Sequence, residues 1–520
     1  MTLIRVADKW KTTTFILLLI VFLAFVLRIV NLTILPVFAD EAIYIRWSQI
    51  MANEPTLRFL PLSDGKQPLF MWVLMFLIKY FSDPLFAGRL VSVVSGLGSI
   101  FAIFTLSLII FNSRKVALVS TLIYALSPFS LFFDRMALVD SMLSFFGIWT
   151  LVFGVITAKT RRFDFAMLTG FFLGFALLTK SPALFFSLML PLTFVFFSFQ
   201  TKKNKFTVKL GKPILLLVVT YTIAYSMYNV LRLGPNFHLI ATRNLDYVYP
   251  ISHLWQRPLD PFLPYFHRSL EWLWILGPSF LVFLILVSVV INFQKYPKEI
   301  LFLTLWSWLP IITQAMFAKV FTARYIFFSL PTLFILAGSV ILIKKKAFKI
   351  LVWGVFALFV IHSLLIDRLL LVNPGNAPLP QNEHSGYFEE WTSGIGIREI
   401  ADFIRSEHDR EPDRQIVVGT EGSFGTLPDG LQIYLENIPK VTVIGTGSVS
   451  IDEIPRQLIE SAKFGNKTYL VVNNSRLKKD PEDLGVKLIA SYPKAKRTGE
   501  SHEKTLYGPQ EILYLFEIHD

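Results

Sequence analysis

No cysteine occurs anywhere in the 520-residue chain. That excludes a disulfide framework, thiol chemistry and a Cys-ligated zinc site. Charge is scarce as well: Asp, Glu, Lys and Arg together make up 17% of the residues, against 53% hydrophobic, and the mean hydropathy is +0.55. One soluble domain is not built from such a composition, so the chain reads as a polytopic membrane protein. Nucleotide-binding and nucleophile-elbow signatures are missing too. The polar C-terminal region holds no GxGxxG, P-loop or GxSxG, and its TEGSFG (420–425) lacks the spacing of the last.

What is present is a series of long apolar runs. A hydrocarbon core of about 30 Å takes roughly 20 apolar residues per helix. Runs of this kind fall near 12–32, 85–111, 116–133, 140–158, 164–179, 181–199, 213–231, 270–293, 299–317, 325–343 and 348–371, about eleven spans. The shorter run 69–81 is too brief to cross and is expected at the interface. The basic N-terminal flank resembles that of a signal peptide. Its apolar stretch runs on to Val30 without a small-residue cleavage site, so a retained first span is expected.

The formal charge of +13 raises nucleic acid as a partner, but its distribution gives it another meaning. Alternate loops read NSRK (112–115), AKTRR (158–162), QTKKNKFTVKLGK (200–212), QKYPK (294–298) and KKKAFK (344–349), with almost no acid. Lys and Arg are retained on the cytoplasmic side. The basic excess is therefore a topology signal, with the N-terminus inside, the C-terminus outside and the plasma membrane as location. No nucleic-acid partner is implied.

After NPGNAPLP (373–380) the composition turns polar. A helix near 394–408 and strands near 415–419, 440–445, 467–474, 486–492 and 511–518 alternate with amphipathic stretches at 430–437 and 452–464. The expected division is a membrane domain over 1–372 and an extracytoplasmic α/β domain over 373–520. That domain reads as a stabilising or acceptor-binding cap in preference to a second active site.

Ionisable residues beside a membrane are functional candidates by default. With this topology, Asp40, Glu41 and Lys66 lie in the first outer loop and Asp134, Arg135 and Asp140 in the second. Lys180 lies in the third, and Lys319 and Arg324 in the fifth. The fourth, roughly 232–268, is long and aromatic, with His238, Arg243, Asp246, Tyr247, His253 and His267. Each has a plain structural reading. Lys319 snorkels, Asp134–Arg135 forms a local salt bridge, Asp140 caps the following helix, and Asp-Glu favours a first helical turn. The shared side and depth of the set favour a single site assembled from several loops.

Taken in order, FADEAIYIRW (38–47), DGKQPLFMW (64–72), FAGRL (86–90), SPFSLFFDRMALVDSMLSFF (127–146), LLTKSPALF (177–185) and ARYIFFSLP (323–331) resemble the polyprenyl-phosphate-sugar-dependent glycosyltransferases of the GT-C fold. The protein O-mannosyltransferases and lipid A aminoarabinose transferases are the nearest in pattern, over residues 12–340. The resemblance implies a mainly α polytopic membrane protein that moves a sugar from a polyprenyl-phosphate carrier to a protein, lipid or glycan acceptor outside the membrane. It implies Asp40 as the catalytic acid with Glu41 beside it, Lys66 near the carrier phosphate, and Arg324 and Tyr325 lining the donor site. Arg135 and Asp140 match the second-loop element, and Lys180 and Tyr44 join the substrate-binding set. The chain departs from the aminoarabinose transferases at Ile43, where they carry Arg, with Arg46 as a substitute. It departs again at KQP, where they carry KPP.

The chemistry suits these residue types. A phosphate-linked sugar already has a good leaving group, so the reaction needs a base for the acceptor hydroxyl and cations for the departing phosphate. One base and direct displacement imply inversion. Glu41 either orients a neighbour or binds a divalent cation with a loop histidine; no cofactor is otherwise required. The competing reading is a lipid or solute transporter, which places its charges near the midplane and carries internal repeats. No repeat is evident, and the charges cluster at one face.

Overall fold

In hydrocarbon every backbone N–H and C=O must be satisfied within its own segment, so apolar runs of this length can only be helices. The computed structural model describes residues 2–197, 206–481, 483–498 and 502–519. It divides into two compact units. One comprises Met1–Leu32, Arg58–Trp72 and Arg89–Asn373; the other Thr33–Leu57, Val73–Gly88 and Pro374–Asp520.

Among the described residues, seven helices are long and apolar enough to cross a membrane: Trp10–Ile29, Pro84–Phe111, Val139–Thr160, Gly211–Leu233, Pro297–Phe317, Ala323–Leu342 and Phe348–Val372. Two further pairs pass the same test as bent spans: Arg114–Leu126 with Pro128–Asp134, broken by 60°, and Phe262–Ile275 with Ser279–Asn292, broken by 105°. Both breaks fall at a proline, which lacks the N–H of a helix interior and drives the preceding residue out of the α region. Ser127 accordingly adopts φ −67°, ψ 123° before Pro128. The runs expected at 164–179 and 181–199 form the shorter helices Phe163–Thr179 and Ala183–Phe196. The end of the second run, at 198–199, and the basic residues at 200–205 lie outside the described residues.

The membrane unit holds a group of buried charges. Arg28 and Asp134 are both fully buried, with Nε to Oδ2 at 2.9 Å. Arg28 also donates to the Ala125 carbonyl at 3.2 Å and to Ser130 Oγ at 3.3 Å, while the Tyr124 hydroxyl donates to Asp134 Oδ2 at 2.9 Å. Gly96 leaves room for that carboxylate, since a Cβ there would stand 2.2 Å from Asp134 Oδ2. The next residue does something different. Arg135, 2% exposed, donates Nη1 to the carbonyls of Leu27, Arg28 and Val30 and Nη2 to that of Asn31, at 2.7–3.0 Å. It caps the unsatisfied carbonyls where the first helix ends. The expected Asp134–Arg135 salt bridge is therefore replaced by longer-range bonds from each residue to the same helix end. Arg89 continues the pattern, donating to the Leu32 carbonyl at 2.9 Å.

The second unit is built on a five-stranded sheet, β1 (Ile416–Thr420), β2 (Val441–Gly445), β3 (Lys467–Asn473), β4 (Lys487–Lys496) and β5 (Gln510–Ile518), in spatial order β2-β1-β3-β5-β4. β1 pairs in parallel with β2 and β3, and β5 antiparallel with β3 and β4. Helices Asp429–Leu435 and Arg456–Lys463 make the two parallel crossovers. Leu458, Leu470, Val472 and Phe516 are core residues at 0% exposure. A polar core lies beside them: Lys494 donates to the carbonyls of Glu390 and Ser393 and to Asn473 Oδ1 at 2.8–3.1 Å. Burial pushes its ammonium down to about 8, against the pull of Glu511, Glu421 and Glu390.

Two segments from the membrane half of the sequence belong to this unit, which a linear division at 372/373 does not anticipate. Helix Ala39–Asn53 is held by the Ala39 amide on the Thr392 carbonyl (3.1 Å), by Gln49 Nε2 on the Ile433 carbonyl (3.0 Å) and by the Arg46–Glu436 ion pair (3.0 Å). Phe38 packs its ring 4.5 Å from that of Tyr387. Asp83 pairs with Arg398.

Removing one partner of a buried ion pair leaves an uncompensated charge and costs about 3–5 kcal/mol. Arg28→Met is expected to lower thermal stability in detergent by that order. The double substitution Arg28→Met/Asp134→Leu should recover most of the loss, read by a double-mutant cycle of melting temperatures.

Candidate active site

In the membrane unit the first-loop and third-loop motifs meet. Gly65 turns the chain with φ +64°, where a Cβ would come within 2.5 Å of the Leu239 carbonyl oxygen, so a side chain is excluded twice over. The turn presents Lys66 and Gln67. Lys66 Nζ lies 3.3 Å from Asp64 Oδ2, and Gln67 Nε2 donates to Ser181 Oγ at 2.8 Å. The KQP and KSP segments are thus joined by one hydrogen bond, with a lysine one residue before each partner. A proline in place of Gln67 has no side-chain donor for this bond.

Lys180 follows the helix Phe163–Thr179 in extended conformation (φ −162°). Its Nζ donates to Asp140 Oδ1 at 2.7 Å and lies 4.5 Å from the centroid of the Tyr325 ring. Arg324 Cζ stands 5.5 Å from the same centroid. Two like charges therefore lie beside one aromatic ring. Asp140 Oδ1 takes the lysine, while Oδ2 is buried with no hydrogen-bond partner among the described residues. Asp140 is not the N-cap of its helix: Leu138 occupies that position, and Asp140 sits in the first turn, where a carboxylate also suits the helix dipole.

Lys66, Asp140, Lys180, Arg324 and Tyr325 accordingly lie in one unit, four of them linked through contacts on Lys180 or Tyr325 and Lys66 through the Gln67–Ser181 bond. Arg135 does not join them as a ligand-facing cation. Its guanidinium is committed to four backbone carbonyls, a correction that follows from its burial at the end of the first helix. Lys319 donates Nζ to the Leu245 carbonyl at 2.7 Å, so it ties down the fourth loop in place of snorkelling. Asp64, which accompanies Lys66, and Gln67, which fastens its segment to Ser181, were not picked out from the sequence. The only sequence signal was the departure from KPP.

The second unit holds Asp40, Glu41 and Tyr44 on helix Ala39–Asn53. Asp40 is half-buried in the first turn. Glu41 is fully buried, and its Oε2 accepts from the Phe38 amide at 3.0 Å, so it closes the N-terminus of its own helix. Tyr44, 6% exposed, sets its ring 6.4 Å from that of Trp47, one turn along the helix. Arg46, the substitute for the arginine missing at 43, is engaged by Glu436. Among the described residues no group of three His, Asp or Glu side chains is placed to hold a metal ion. His253 instead sets Nε2 2.7 Å from the Asp260 carbonyl and stacks on Tyr249.

Seven or more apolar helices, linked cations at their ends and a small α/β unit make this a multi-pass membrane protein of the GT-C fold. The structure is similar over its whole length to ArnT from Cupriavidus metallidurans. The form bound to undecaprenyl phosphate gives a TM-score of 0.54 at 14% identity, covering 96% of this chain and 97% of that one. The apo form gives 0.55 at 15%, covering 98% of each. The archaeal oligosaccharyltransferase AglB from Archaeoglobus fulgidus, in complex with an inhibitory peptide and a dolichol-phosphate, gives 0.48 at 12% identity, covering 90% of this chain and 70% of that one. The family model of dolichyl-phosphate-mannose-protein mannosyltransferases matches residues 65–227, the stretch that carries Lys66, Asp140 and Lys180. No curated protein matches by sequence. The chain resembles the mannosyltransferase and ArnT group in fold.

A hydrogen bond to a charged group contributes about 1.5–3 kcal/mol. Lys180→Gln is therefore expected to lower thermal stability in detergent by that order, with Lys180→Arg recovering most of the loss, as read from melting temperatures.

Proposed function

We propose that the protein is a membrane glycosyltransferase that moves a sugar, with inversion, from a polyprenyl-phosphate carrier to a hydroxyl of a protein, lipid or glycan on the extracytoplasmic face. The observation that carries this reading is the grouping of cations in the membrane unit. Lys66, Lys180 and Arg324 stand in linked segments, and two of them share the Tyr325 ring. Cations held together in this way suit an anionic ligand. A phosphate ester fits, and its charge grows when the ester bond breaks.

In this reading Asp40 takes the proton of the acceptor hydroxyl. The oxygen then forms a bond to the anomeric carbon as the bond from that carbon to the carrier phosphate breaks. The electron pair leaves on the phosphate, where Lys66, Lys180 and Arg324 receive it. Asp140 holds Lys180 in place, Tyr325 supplies its ring, and Tyr44 supports the helix that carries Asp40. Glu41 keeps that helix closed at its N-terminus. Its carboxylate is committed to the Phe38 amide, so no step is routed through a divalent cation. Arg135 positions the turn that leads to Asp140. The sidedness rests on the basic loops, with the N-terminus cytoplasmic and residues 373–520 outside.

Asp40→Asn removes the base and leaves the phosphate cations intact. Transfer from a labelled polyprenyl-phosphate sugar should fall by about 10²–10⁴, with carrier binding within about twofold of wild type. Normal turnover in this variant would remove Asp40 from the mechanism.

A further inference from the structure

The second unit contains a cleft of about 290 Å³ away from the proposed base. It opens where the end of helix Ala39–Asn53, the turn around Lys79–Pro84 and the helices Ile397–Arg410 and Asp429–Leu435 come together. Small-molecule pockets are lined mostly by apolar side chains with a few polar groups among them. Here the balance is reversed: eight of the fourteen lining residues are polar or charged. A ligand of matching chemistry is itself polar on most of its surface.

The polar groups are fixed before any ligand arrives. Glu436 Oε1 takes both Arg46 (3.0 Å) and Asn53 Nδ2 (3.2 Å), which holds the carboxylate and the amide in one hydrogen-bonded group. Burial raises the Glu436 carboxyl, with Arg46 and Asn53 opposing. Gln49 is anchored by Nε2 on the Ile433 carbonyl at 3.0 Å. Arg405 is braced by Asp402 at 2.7 Å and by the Tyr434 carbonyl at 2.6 Å. Lys79 and Asn437 are exposed at the rim, and the Asn437 side chain makes no hydrogen bond among the described residues. Amides and a carboxylate held in place match the paired donors and acceptors of vicinal hydroxyls. No phosphate or sulfate is favoured, because Glu436 stands at the centre of the group.

The geometry points to a carbohydrate-binding cleft that tethers a glycan independently of the transfer reaction. Its independence follows from helix phase. Asp40 and Gln49 are nine residues apart, roughly 13 Å along the axis and half a revolution out of register. They therefore stand on opposite sides of helix Ala39–Asn53. A glycan held here is presented to the protein without occupying the face that bears Asp40.

The test is binding by the full-length chain in lipid nanodiscs, with mannotetraose and chitotetraose as probes and a Ser/Thr-rich dodecapeptide as the alternative. Saturation-transfer NMR and titration should show one of the tetrasaccharides bound. Each of Asn437→Ala and Lys79→Ala should weaken it about fivefold, the loss of one ordinary hydrogen bond. Both are surface changes, so an unchanged melting temperature confirms the fold, and Asp40→Asn should bind the sugar as wild type does. Binding of the peptide alone, sugar binding indifferent to Asn437 and Lys79, or no binding of either probe would each overturn the assignment.

Discussion

The buried Arg28–Asp134 pair is the constraint on which the membrane unit depends. A guanidinium or a carboxylate within a lipid-spanning helix costs about 2.5–3.5 kcal/mol at the bilayer centre. The two are tolerated because each is answered several times. Arg28 donates to Asp134, Ala125 and Ser130, and Asp134 also accepts from Tyr124. Arg135, next in sequence, closes the carbonyl end of the same helix. Adjacent residues thus fasten the second outer turn to the first helix from two directions. Five residues further on stands Asp140, already in a new helix, with Lys180 bonded to it.

From that fixed point the cation cluster is built by short links. Asp140 sets Lys180; Lys180 and Arg324 share Tyr325; Ser181 takes Gln67 and so brings in the Lys66 segment. Each carboxylate lowers the repulsion among the lysines without neutralising the group, and Tyr325 gives both cations a polarisable face. In a medium of lower dielectric than water these fixed charges act strongly on a developing phosphate charge and need little reorganisation. That is the physical content of the role proposed for the membrane unit: its fixed cations receive the leaving group.

Much of this was legible in the sequence, and what was not has identifiable causes. Apolar runs located the helices, but 116–133 and 270–293 read as single spans although Pro128 and Pro278 lie inside them, where the helices bend. Alternation in the C-terminal region located all five strands. Lys180 and Asp140 were singled out as charges beside the membrane. Their mutual bond was not, because a contact across 40 residues leaves no trace in a single sequence. Arg28 passed unnoticed inside VLRIV, although a lone arginine within a span is itself a signal of a buried partner. Glu41 read as a support for Asp40 or a cation ligand, and its bond to the Phe38 amide depends on the backbone there. The packing of Thr33–Leu57 with the C-terminal region was also hidden, since it rests on pairs such as Arg46–Glu436, far apart in the chain.

The proposed reaction uses one base and no pair of facing carboxylates, so it is a single displacement. The anomeric configuration of the product reports on that directly. Wild-type protein supplied with a polyprenyl-phosphate sugar of known configuration, and its product read by the one-bond carbon–proton coupling at the anomeric centre, should give inversion. Retention of configuration would require a glycosyl-enzyme intermediate and would contradict the account.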